Sequence, residues 1–161
     1  MSAPFDSTEH TTLYKRTCKS NARVLANCLQ GRTLTLVNDH TKEVYVPRVP
    51  ERMLMYFCGE DVVQRLLRKS QDTSDILEIP NLEAEGFSIA RIVRFMRRCC
   101  LPSTHQSSGD LRIPPNLGEG LDTIRACRVL GPTADAARIE SKQEFMYELH
   151  VRHTLTSYTY L

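Results

Sequence analysis

Three short stretches of β pattern, set among helix-patterned segments, limit what this chain can fold into. Leu34, Leu36 and Val37 form one run in RTLTLVN, Val44 and Val46 flank Tyr45 in KEVYVPR, and Ile76, Leu77 and Ile79 form the third. Asn38-Asp39-His40-Thr41 separates the first two with turn chemistry, which predicts a β-hairpin. Pro47 is expected to end the second strand and Pro80 the third, because proline cannot continue a hydrogen-bonded ladder. Three strands cannot cover both faces of their own sheet. The expectation is therefore an α+β domain, a small three-stranded sheet capped by a cluster of helices.

The helical pattern supplies that cover. Val24, Leu25, Cys28 and Leu29 recur as one face of a short helix within 17–30, with Ser20 or Asn21 as cap and Gly31 as stop. Residues 49–69 read as two helical pieces broken at Gly59. The first holds the apolar block Met53, Leu54, Met55, Tyr56 and Phe57. The second begins with Glu60 and Asp61, which suit a helix N-terminus, and carries Val62, Val63, Leu66 and Leu67 on one face. The strongest helix spans about 83–100, with Phe87, Ile89, Ala90, Ile92, Val93, Met96, Cys99 and Cys100 apolar and Arg91, Arg94, Arg97 and Arg98 elsewhere on its surface. After a Pro- and Ser-rich loop at 101–117, a helix with Leu121, Ile124, Cys127 and Leu130 inward ends at Gly131-Pro132. A last helix over 133–152 is expected to turn Ala134, Ala137, Phe145, Met146 and Leu149 inward. Residues 1–18 read as a disordered N-terminal tail, 19–152 as one domain and 153–161 as a C-terminal tail of strand or coil.

The 161 residues suit one globular domain. No apolar run approaches the ~18 residues that a membrane span needs. The first twelve residues carry Asp6 and Glu9 and lack the basic and apolar regions of a signal peptide. The expected location is cytoplasmic or nuclear. None of the six cysteines forms a Cys-x-x-Cys pair, and a reducing compartment argues against a disulfide framework. No Gly-rich phosphate loop or spaced nucleophile and base marks an enzyme, so no catalytic residue, metal or cofactor is assigned. His150 and His153 lack a third ligand nearby and read as a surface pair. Basic residues beside Cys99 and Cys100 raise a redox role, but packing explains both.

RTLTLVNDHTKEVYVPR, DILEIPNLEAEGFSIARIVRFMRRCC and RACRVLGPTADAARIESKQEF together resemble the BTB/POZ domain, in its divergent fungal form. The first segment resembles the family's opening hairpin. In the second, Ile79-Pro80 stands for a Leu-Pro pair and Phe87 for the Phe that opens a helix. In the third, Ala126, Val129, Leu130 and Gly131 match a later helix. The likeness covers about 30–150. The chain departs from it at Arg32-Thr33, where an Asp is usual, at Pro47, where His is common, and at Met55-Tyr56-Phe57-Cys58, where the family has Ser-x-x-Phe.

The resemblance implies a protein–protein interaction module, an adaptor or scaffold that often homodimerises through an N-terminal helix. Some members recruit a cullin-type ligase scaffold and others a corepressor. Val24, Leu25 and Leu29, with Met53, Met55, Tyr56 and Phe57, are the candidate interface, because the apolar block exceeds what one helix face hides. The alternative is a nucleic-acid-associated regulatory domain using the basic patch Arg91, Arg94, Arg97 and Arg98. The net charge of +2 and the lack of aromatic side chains alternating with these arginines make nucleic acid the lesser expectation. Arg outnumbers Lys by 16 to 5, which suits paired and interface contacts.

Overall fold

Strand β1 (Thr33–Asn38) lies at the centre of the sheet, and the other two strands flank it. In the computed structural model, which describes residues 11–69, 75–80, 85–101 and 109–158, β2 (Val44–Pro50) pairs antiparallel with β1. β3 (Ile76–Ile79) pairs parallel with its other edge. The described residues also form seven helices: α1 (Leu13–Lys19), α2 (Ala22–Cys28), α3 (Glu51–Cys58), α4 (Glu60–Lys69), α5 (Gly86–Cys99), α6 (Leu117–Leu130) and α7 (Thr133–Tyr158). The fold is the expected α+β arrangement, with a small mixed sheet under a helical cluster.

The hairpin closes as its residues dictate. The Asn38 side chain accepts hydrogen bonds from the backbone of His40 at 2.8 Å and Thr41 at 2.9 Å, and the Asn38 N–H donates to Glu43 at 2.8 Å. Pro47, however, does not end β2. Leu34 pairs with Val49 while Leu36 pairs with Val46, so Pro47 and Arg48 occupy a bulge. Arg48 takes φ +53° there, and the ladder resumes to Pro50. β2 is an edge strand, where a missing N–H is tolerated.

The core lies between sheet and helices. Leu34, Leu36, Val49, Leu77 and Ile79 from the strands meet Met53, Leu54, Ile89, Ile92, Met96 and Leu130 from the helices, all buried. Gly59 separates α3 from α4 as expected, with φ +92°. The short helix expected within 17–30 is α2, and of the two candidate caps Asn21 is the one used, accepting from the Val24 N–H at 2.9 Å, while Ser20 ends the preceding α1.

Three other expectations need correction. Residues 13–18 are not a tail; they form most of α1, whose Leu13 is buried. Residues 153–158 continue α7 rather than forming strand or coil, which makes it a 26-residue helix. The inward face assigned to that helix is also wrong. Asp135, Ala136 and Ile139 are buried, whereas Ala137, Phe145, Met146 and Leu149 are exposed, because the body of the domain ends before the helix does. Leu121 and Phe87 are exposed as well, while Phe95, unassigned by periodicity, is core. The expectations for 1–10, 70–74, 102–108 and 159–161, and for Leu82, fall outside the described residues.

Gly131 ends α6 in the left-handed region at φ +105°, and a Cβ there would lie 2.4 Å from the Cys58 carbonyl oxygen. The α6–α7 turn thus packs directly on the backbone at the end of α3. Gly131→Ala should cost about 2–3 kcal/mol and lower the melting temperature by roughly 5–10 °C in a thermal unfolding measurement.

Candidate functional site

The candidate interface residues do not form one exposed surface. Leu25, Met53 and Phe57 are at most 2% exposed and belong to the chain's own core. Leu29, Met55 and Tyr56 are half-buried against that core, and Val24 is exposed. The apolar excess of α3 is covered from within the chain, by α2, α4, α5 and β2, and α1 adds polar contacts at its end. Arg16 donates to the Tyr56 carbonyl at 2.5 Å, and the Ser20 and Tyr56 hydroxyls share a hydrogen bond.

Polar contacts fix α1 there. Thr12 caps it, accepting from the Lys15 N–H at 3.3 Å while its hydroxyl donates to Asp110 at 2.9 Å. The Leu13 N–H donates to Asp135 Oδ2 at 2.8 Å. Asp135 is completely buried at the start of α7, and its Oδ1 has no hydrogen-bond partner among the described residues. Burial pushes its carboxyl above the ordinary range, against the opposing pull of the Leu13 N–H and Arg138. This side chain joins two segments 122 positions apart in sequence.

Three of the four arginines of α5 make contacts within the chain. Arg91 pairs with Glu119 of α6 at 3.3 Å and stacks on the exposed Phe87 ring, 4.8 Å from its centroid. Arg97 donates to the Arg48 carbonyl in the β2 bulge at 3.0 Å. Arg98 lies 5.8 Å from the centroid of Phe95, and Arg94 is exposed. A cavity of about 290 Å³ brings Arg91 and Arg98 together with Arg112, which sequence reading did not single out.

The thiols are mostly interior. Cys28, Cys58, Cys99, Cys100 and Cys127 are buried and Cys18 is exposed, all as free cysteines. Burial pushes the Cys100 and Cys58 thiols up to about 12 and raises that of Cys99, so these groups are poor thiolates. His150 is exposed on α7, and the His153 side chain falls outside the described residues. Among the described residues no three metal-ligating side chains converge, and no helix is long and apolar enough to cross a membrane.

The surface that sequence reading missed is on α7. Phe145, Met146 and Tyr147 are 59–64% exposed, and Leu149 and Val151 are exposed beside them. At 100° per residue these five positions fall on several sides of the helix. One neighbour covers one side, so this spread was the available signal. Beneath the overhang, Met146 and Tyr147 face Ile113, Pro114, Pro115 and Leu117 across a groove of about 460 Å³. No family model, curated protein or solved structure matches the chain.

Asp135 sets a pH dependence with a definite sign. A carboxyl whose folded-state pKa is raised binds its proton more tightly when folded, so stability falls as pH rises from the usual carboxylate range through the folded pKa. Asp135→Asn keeps an acceptor for the Leu13 N–H and removes the titration. In denaturant titrations, wild type should gain stability relative to the Asn variant as pH is lowered through that window. An unchanged difference would contradict a buried, raised carboxyl.

Proposed function

We propose that this chain is a BTB/POZ-like protein–protein interaction module, an adaptor or scaffold rather than an enzyme, working in the cytoplasm or nucleus. The observation that carries the reading is the apolar surface of distal α7, where Phe145, Met146, Tyr147, Leu149 and Val151 all stay exposed, more large apolar side chains than on any other described element. Association buries such surface, and contiguous apolar patches on soluble domains mark interaction sites.

The order of elements supports the family reading. A hairpin leads into a helix pair, the third strand returns parallel to the first, and a helical cluster follows. That is the order in the segments on which the BTB/POZ resemblance rests. Self-association is part of the proposal, and a cullin-type scaffold or a corepressor are the hetero-partners that the resemblance implies. The N-terminal helices are the less suited surface for it, since Leu13 and Leu25 already pack inward.

A second reading rests on one observation. Arg91, Arg98 and Arg112 line a shared cavity, which suits a phosphate of nucleic acid. Binding to a DNA or RNA duplex that weakens steeply with added salt would favour it, and no binding at low salt would end it. For the interaction module, affinity capture of the tagged chain from cells, read by mass spectrometry, should recover stoichiometric protein partners, an untagged copy of the chain among them. Recovery of no partner would overturn the reading.

A further inference from the structure

α7 stays on the body of the domain as far as Gln143, which packs against Gly120 of α6, and every residue from 144 to 152 is exposed. Its side chains are ordered around the axis. Met146 and Tyr147 face the groove under the overhang, Phe145 and Leu149 lie one turn apart on another side, and beyond them come Glu148, with Arg152 one turn on, and then Glu144. The surface under the overhang carries a matching order. First comes the groove, whose outer wall is apolar and whose α7 wall also carries Lys142, Gln143 and His150, then the Pro114–Pro115 ridge, and across that ridge the cavity edged by Arg98 and Arg112.

A helix laid in this groove needs apolar groups on two sides and acids on a third. Distal α7 is such a helix. We infer that a second copy of this chain docks here, each α7 lying antiparallel in the other's groove. Met146 and Tyr147 of the two copies meet, Phe145 and Leu149 of each press on the other's proline ridge, and Glu148 of each reaches the other's Arg112. A two-fold pairing of this kind is self-complementary and closes. The four apolar side chains placed in the contact expose on the order of 400 Å² per copy, and with the groove and ridge surface that they cover a pair buries about 1,000 Å², the size at which specific association begins. The inference rests on the interaction-module reading and gives it a surface and a partner.

Sedimentation and light scattering of the purified full chain should report twice the 18.4 kDa monomer mass at ~50 µM. The double variant Phe145→Glu with Leu149→Glu should melt close to wild type, because both positions are exposed, and should dimerise at least tenfold more weakly. Glu148→Arg and Arg112→Glu should each weaken the dimer about threefold, and the two together should restore it. A wild-type chain that is monomeric at ~200 µM, or a dimer indifferent to the double variant, overturns the inference. A monomer that still captures other proteins overturns this inference and leaves the interaction-module reading standing. A monomer that captures nothing overturns both.

Discussion

The rest of the molecule depends on the burial of β1. This strand is paired along both edges, and Leu34 and Leu36 are completely buried. With so few strands, the sheet is stable only while helices exclude water from it. The hairpin fixes β2, the α3–α4 pair carries the chain across to β3, and α5 packs on β2. α6 and α7 form the next layer. Their turn at Gly131 touches the end of α3, so the outer layer is keyed to the inner one through backbone as well as side chains.

Polar groups do similar work at the N-terminal end. α1 is short and carries few apolar residues, so the packing of Leu13 and Tyr14 holds it only weakly. The carboxylates of Asp110 and Asp135 receive the hydroxyl and backbone donors of its first turn, and Arg16 reaches the carbonyl of Tyr56. The cost is a buried carboxyl with one oxygen unmatched among the described residues. In return, the carbonyl and hydroxyl of Tyr56 at the end of α3 gain partners from α1.

Elements set by local pattern were legible in the sequence. The hairpin turn, the break at Gly59, the cap at Asn21 and the stop at Gly131 all follow from residues whose chemistry acts within a few positions. What depended on distant neighbours was not legible. α1 reads as a tail because its anchors lie about a hundred positions away. Phe145, Met146 and Leu149 read as core because periodicity records apolar residues and not whether anything stands opposite them. Met53 and Phe57 read as interface for the complementary reason, since nothing local shows that α3 is already enclosed. The surface proposed for association therefore shares no residue with the one expected from sequence.

The β2 bulge bears on how any partner approaches. Among the described residues no strand pairs with the outer side of β2, and such an edge is the usual place for a foreign strand to add by main-chain hydrogen bonds. Pro47 offers no donor there, and the left-handed turn at Arg48, tied by its carbonyl to Arg97, takes the backbone out of register. At the opposite edge, β3 is four residues long. Neither margin presents a long regular template, a feature that disfavours edge-to-edge aggregation.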